Sequence, residues 1–344
     1  MLDKYYYNKL QASEERSAYQ AVYSALLRSE RECGVSGIGN DSAEKVWEAV
    51  TLDHPEIINY PAPICQRRLK GRLVLYHFQY SNVDRGRYNE SLDNAVNEIE
   101  KQLTSDVSGY SVIKAIFDYL TASVDYDGEA FNEYLSLIRT NPSDNVWTDF
   151  IDGRGAAFTP YGVVINKKGV SAGISRLFKI LCGRFGIQCA CVKAQLKDEC
   201  SSPHRLNVVE IGCDRFFADV TSGLTLDELP IARYDYFLAP RRIIEKLLTI
   251  EEDFLCDNER ENFFVKNNLR FTSVCDLKRY LAGYVFSSTN GEVRCHYDGG
   301  KLTDKELGDI FSEIVNAHCS YTKQMPTTSV KNGFCTGLIT DAEE

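Results

Sequence analysis

Apolar residues recur along this chain at two periods, and the switches between them mark its elements. In "SAYQAVYSALLRS" (residues 17–29), Tyr19, Val22, Tyr23, Leu26 and Leu27 stand at the spacing of one helix face. "DSAEKVWEAVTLDHPE" (41–56) repeats the pattern with Val46, Trp47 and Val50. Asp41 or Ser42 is placed to cap it, and Pro55 follows its end. "RLVLYHFQY" (72–80) is dense in β-branched and aromatic residues and predicts a strand. "LDNAVNEIEKQL" (92–103) returns to the helical period. The first 104 residues thus predict a mainly helical region with one strand.

A second block starts near Ser108. "YSVIKAIFDYLTASVDYD" (110–127) places Val112, Ile113, Ile116, Phe117 and Leu120 on one helical face. After a looser stretch with Pro142, Gly153, Gly155 and Pro160, a helix over 171–185 carries Ile174, Leu177, Phe178, Leu181 and Phe185 on one stripe. Gly186 is placed to stop it. Three strands follow, "IQCACVKAQL" (187–196), "HRLNVVEI" (204–211) and "RFFADVT" (215–221). The short "GCDR" between the last two predicts an antiparallel hairpin. The last block alternates again: helix 273–286, strand 292–298, helix 304–319, strand 333–340. The class is α+β. The expected organisation is a mainly helical N-terminal region (1–104), a core domain (105–245) and a small α+β C-terminal domain (255–341).

Charge and cysteine content narrow the field. The chain has 39 Lys and Arg against 49 Asp and Glu, a net charge of −10. No basic stripe is available to neutralise phosphates, so nucleic acid is not an expected partner. No run approaches the ~20 apolar residues of a membrane span, and the N-terminus shows no apolar signal segment. A cytoplasmic protein is expected. Twelve cysteines are present, yet only Cys189 and Cys191 stand close, at a strand spacing that suits buried thiols better than a metal clasp. There is no GxGxxG, no P-loop lysine and no HExxH, so no metal or cofactor is implied.

Three residues sit where chemistry would want them. Ser171 opens a helix, His204 begins a strand, and Asp219 lies on the strand hairpinned to it. An even-length turn pairs Asp219 with a residue near 206 to 208, which places it on the face of His204. An acid that orients an imidazole, which activates a nucleophile, is triad logic. Taken singly, each has a plain structural role: a helix cap, a satisfied strand histidine, a strand-end aspartate.

"GVSAGISRLFKILCGRFGI", "HRLNVVEI" and "FFADVT", in that order, resemble the transglutaminase-like superfamily within the papain-like fold. That family shows a Gly-Val-Cys-x-Gly helix start, a His-Ala-Trp-Asn strand and an Asp-x-Thr strand. "AAFTPYGVVINKKGV" resembles its run into the helix. "YDYFLAP", "TLDHPEI" and the Tyr-rich N-terminus resemble segments of its bacterial members. The likeness covers residues 1 to 245 and is strongest over 156 to 222. It implies a core with the nucleophile-position helix packed on an antiparallel sheet. It also implies that His204 is the catalytic imidazole, Asp219 its orienting acid, and Asn207 the asparagine of the histidine strand. Two departures stand out. Ser171 replaces the nucleophilic cysteine, and Leu206 replaces the tryptophan that forms one wall of the site. Leu206, Asn207 and Tyr161 complete the expected substrate-binding set, with Tyr161 a second oxyanion donor beside the N–H of Ser171.

The serine changes the chemistry. A cysteine there would be ionised by the helix N-terminus and the imidazolium together. A hydroxyl is a far weaker acid and needs its proton removed during attack. The expectation is a transglutaminase-like protein with impaired catalysis that binds a peptide or protein in the former cleft. The first alternative is an active acyl-transfer enzyme, an amidase, peptidase or protein-modifying enzyme, either serine-dependent or an engineered Cys-to-Ser form. The second is an interaction protein that works through its flanking regions. Of two other candidate thiols, Cys182 reads as a core or flank thiol and Cys200 stands nearer the expected cleft. Cys182 lies three turns down the same helix, and Cys200 lies in the loop before His204.

Overall fold

Three strands, where the sequence suggested one, interrupt the helices of the N-terminal region. The computed structural model describes residues 2–59, 61–103, 107–140, 144–197, 201–224, 234–287, 291–318 and 327–339. Strands β1 (Glu32–Ile38), β2 (Pro61–Leu69) and β3 (Arg72–Tyr80) form an antiparallel sheet in the order β1-β3-β2. The missed pair are both edge strands. β2 begins with two prolines, at 61 and 63, whose missing N–H groups an edge tolerates. It turns into β3 through Lys70 and Gly71, both at positive φ, as a two-residue hairpin requires. Helices Ser13–Leu27 and Asn40–Asp53 bury Tyr19, Val22, Leu26, Val46 and Val50 against Tyr76 and Phe78. The second helix starts at Asn40 after Gly39, with no side-chain cap. Ser42, expected as a cap, donates instead to Glu15 (2.8 Å).

The core is built around helix Ser171–Arg184. Ile174, Leu177, Phe178 and Leu181 are all buried, with Phe185 packed beside them. They meet the helix Gly109–Ser123 through Ile113, Ile116, Phe117 and Leu120. The helix stops in a Schellman arrangement. Gly186 takes φ +72°, its N–H donates to Gly183 O, and Ile187 N–H donates to Cys182 O. A short parallel pair, β4 (Asp125–Tyr126) and β5 (Lys168–Gly169), leads into it. Behind it lies an antiparallel sheet of β6 (Cys189–Leu196), β7 (Pro203–Ile211), β8 (Asp214–Ala218) and β9 (Leu248–Ile250), in the order β8-β7-β6-β9. Strands β7 and β8 are joined by a two-residue turn, Gly212–Cys213, with Gly212 at φ +64°.

The C-terminal residues form their own sheet, β10 (Arg270–Phe271), β11 (Gly291–Tyr297), β12 (Thr327–Lys331) and β13 (Phe334–Ile339), in the order β10-β11-β13-β12. Helices Val274–Ser287 and Asp304–His318 pack Leu277, Leu281, Leu307 and Phe311 onto it. Among the described residues no helix is long and apolar enough to cross a membrane, and no His, Cys, Asp and Glu group is spaced to hold a metal ion.

One glycine fixes how the core helix enters the fold. A Cβ on Gly173 would stand 2.4 Å from Ala157 O and 2.8 Å from Val163 Cγ2. Ala157 O is itself the acceptor for Val170 N–H (3.0 Å). The segment Gly155–Phe158 is thereby held against the first helical turn. Alanine at 173 would gain about 1 kcal/mol of helix propensity. The clash with backbone is the larger effect, and we expect Gly173→Ala to lose about 2 kcal/mol in urea denaturation.

Candidate active site

Ser171 occupies the first helical position, not the cap. Val170 is the N-cap residue, in extended conformation, and no side chain caps the helix. Ser171 is 4% exposed, and its Oγ has no hydrogen-bond partner among the described residues. The capping role that a serine at a helix start usually fills is therefore not the one seen here. The N–H groups of Ser171 and Ala172 have no intrahelical acceptor, and no acidic residue occupies the first turn. The helix N-terminus thus keeps its partial positive charge.

His204 and Asp219 meet. Nε2 of the imidazole lies 2.8 Å from Oδ2 of the carboxylate, both groups buried. The register explains the encounter. Asn207 pairs with Ala218 across β7 and β8, so Asp219 falls one step beyond the ladder, level with Leu206 and two residues from His204. Asp219 is fully buried and held on every side. Its N–H donates to Tyr236 O (3.0 Å), Ser222 Oγ–H donates to Oδ2 (2.6 Å), and Ser222 N–H donates to Oδ1 (3.1 Å). Burial alone would raise its pKa, but the charge and hydrogen bond of His204 and the bonds from Ser222 outweigh it and hold the carboxyl below its ordinary value. An ionised Asp219 can only accept, so Nε2 carries the proton and Nδ1 is the ring nitrogen left over.

Ser171 and His204 line one cavity of about 80 Å³, walled by Phe131, Tyr134, Phe158 and Arg205. A second cavity, of about 130 Å³, shares Tyr134, Phe158, Ala172 and Arg205 and continues to Arg176 and Cys191. Together they form a cleft across the start of the core helix. A larger hollow of about 510 Å³ lies between the N-terminal helices, lined by Tyr6, Lys9, Glu15, Lys45 and Glu48. It holds no imidazole and no candidate nucleophile, so size alone does not mark the chemistry.

The other expected residues lie elsewhere, and here the sequence reading is corrected. Leu206 is 1% exposed and packs with Val192, Val208 and Phe217, so it lines neither cavity of the cleft. Asn207, also 1% exposed, donates through Nδ2 to Ser175 O (2.9 Å) and Ala190 O (3.3 Å). It ties the core helix to the sheet instead of facing a ligand. The Tyr161 hydroxyl accepts from Asp84 N–H (3.2 Å), which occupies it away from the site. Cys182 is fully buried in the main core cluster, and Cys200 lies outside the described residues. What the sequence reading missed is the aromatic wall, Arg205 and Ser222. Phe131 and Tyr134 stand three apart on helix Gly128–Thr140, a readable spacing. Ser222 stands three after Asp219, the spacing of a helix cap and the N–H that donates to it.

The fold and site thus define an α+β protein in which a helix-start serine and an acid-oriented histidine line one cavity. No family model matches the sequence, and no curated protein matches it. Among solved structures the chain is similar to one described as a TGase, at TM-score 0.33 and 15% identity, over 57% of this chain and 51% of that one. It is also similar to a candidate cysteine protease from Cytophaga hutchinsonii, at TM-score 0.28 and 13% identity, over 52% and 55%. The chain therefore spans about half the length of these two. At such scores the functional reading rests on the geometry of the cleft alone.

Proposed function

We propose that this is a transglutaminase-like protein whose cleft binds an extended peptide or protein segment, and whose acyl-transfer chemistry is strongly reduced because Ser171 stands in the place of a thiolate. The observation that carries the reading is the Nε2–Oδ2 bond of 2.8 Å between His204 and Asp219, beside a serine at an uncapped helix start. Two cavities of about 80 and 130 Å³ are far smaller than the ~300–1,000 Å³ of a small-molecule pocket. They suit single side chains of a segment laid across them. Glu56, His54 and Tyr19 also form an acid–imidazole–hydroxyl chain, with bonds of 2.7 and 2.8 Å, but its imidazole and hydroxyl are buried and line none of these cavities.

The chemistry available to the serine is limited. Nδ1 of His204 would have to take the hydroxyl proton as Oγ attacks a carboxamide or peptide carbonyl. The N–H groups of Ser171 and Ala172 would receive the oxyanion. An acyl-enzyme would then pass to water or an amine. A site laid out for a ready-made thiolate–imidazolium pair supplies this poorly, since the proton must move during attack. The intact acid–imidazole pair favours one second reading, a serine-dependent acyl-transfer enzyme. Fluorophosphonate labelling with the adduct located by mass spectrometry separates the two. We expect no adduct on Ser171 above the denatured control. An adduct that vanishes in His204→Ala would establish the enzyme instead.

A further inference from the structure

One wall of the cleft carries a charge that the molecule itself does not answer. Arg205 is half-buried and lines both cavities. Its one hydrogen bond among the described residues runs from Nη1–H to the carbonyl of its neighbour, His204 O (3.1 Å), and no carboxylate of the described residues lies within ion-pair distance. Three other partly buried arginines are treated differently. Arg241 pairs with Glu245 (2.8 Å), Arg215 with Glu210 (3.2 Å) and Arg294 with Asp235. In a chain with ten more acids than bases, 49 against 39, an acid for Arg205 would have been easy to supply. A guanidinium has five N–H donors in a rigid fork and cannot shed its charge. Leaving most of that fork unmet in a cleft is costly unless something else meets it. Around it stand the rings of Tyr134 and Phe158 and the uncapped helix start, which also favours negative charge.

We propose that Arg205 is the specificity residue of the cleft, and that it receives a carboxylate of the bound peptide, from an acidic side chain or from the peptide's C-terminus. The inference rests on the reading of Ser171 and His204 as one site. It adds the chemical class of the ligand. The fork grips both carboxylate oxygens while the neighbouring backbone crosses the Ser171 end of the cleft, and Tyr134 and Phe158 exclude water from the pair.

The test uses the full chain carrying Ser171→Cys, alkylated with iodoacetate or with iodoacetamide. Each reagent forms a carbon–sulfur bond and releases iodide, and they differ in the carboxylate. Mass spectrometry assigns the rates to position 171. Iodoacetamide, compared with and without His204→Ala, reports on the site itself. The ratio of iodoacetate to iodoacetamide rates reports on Arg205. We expect Arg205→Gln to lower that ratio about tenfold and Arg205→Lys to restore part of it. A ratio unchanged in Arg205→Gln overturns the inference, even with a fast, His204-dependent iodoacetamide reaction. A measurement without any Arg205 variant compares protection by three peptides, acetyl-Ala-Glu-Ala-amide, acetyl-Ala-Ala-Ala as free acid, and acetyl-Ala-Ala-Ala-amide. Stronger protection by the first points to an acidic side chain, and by the second to a C-terminus. No advantage of either over the neutral amide overturns the proposal.

Discussion

Ser171→Cys will give a thiol whose alkylation rate stays nearly flat from pH 7 down to pH 5, where an ordinary thiol slows about tenfold per unit. The cause lies in two features of the site. The helix Ser171–Arg184 has no capping side chain and no acid in its first turn, and His204 lines the same cavity with Nε2 already committed to Asp219. Helix starts and imidazolium partners bring thiol pKa values to about 3.5–7.5. At a pKa of about 4.5 the thiol would be almost fully ionised at pH 5.5, whereas a thiol at about 8.5 is ionised to roughly one part in a thousand. Lower basicity weakens the nucleophile, by about sixtyfold over four units at a Brønsted slope near 0.45. The net gain is then about tenfold at pH 5.5 and vanishes near neutrality. A single rate at pH 7 would miss it, so the pH profile is the measurement. The exposed Cys213 serves as internal reference. A profile that falls in parallel with Cys213, or one that stays flat in His204→Ala, would refute the geometry claimed for the site.

Asp219→Ala should be the most damaging single change at the site, costing about 3–5 kcal/mol in urea denaturation at pH 7. The carboxylate is fully buried and binds the imidazole, the Ser222 hydroxyl and a backbone N–H at once. Alanine strands all three. Asp219→Asn keeps the shape and should lose less. The natural chain and Asp219→Asn also separate by pH. The folded carboxyl sits below its ordinary value, so at acid pH the unfolded chain takes up its proton first. The stability it contributes is therefore full above the unfolded value of about 3.9 and drains away as pH falls further. Asp219→Asn lacks that loss. Its deficit relative to the natural chain should shrink between pH 5 and pH 3, and a constant deficit would mean that the charge plays no part.

How much of this was legible depends on how local the signal was. The core helix and its stop, the β7–β8 hairpin and the positions of strands β11 and β13 follow from periodicity and turn residues, because burial repeats at 3.6 or 2 and glycine relieves the turns. Strands β1 and β2 were hidden by Gly34, Gly37, Pro61 and Pro63, residues that weaken a strand signal yet are tolerated at an edge. The encounter of His204 with Asp219 was foreseeable from register alone. The placement of Leu206 and Asn207 was not, since a motif gives their order but not which face of the sheet a helix covers. Leu206 packs on the side of Val192 and Phe217, and Asn207 on the side of the helix. Arg205 drew no attention because its meaning lies in what is missing around it, and absence has no period.

Lys179 carries a consequence for how the chain can be cut. It projects from the core helix and is 6% exposed, with Nζ donating to the carbonyls of Asp53 (2.8 Å) and Asp3 (3.1 Å). Both acceptors belong to the first 104 residues. Asp53 in turn accepts from the N–H groups of Tyr6 and Tyr7. A fragment beginning at residue 105 would keep the ammonium and lose its acceptors. The N-terminal region is thus joined to the core by a polar contact as dry as the core itself, and the energetic boundary of the folding unit does not follow the compositional one.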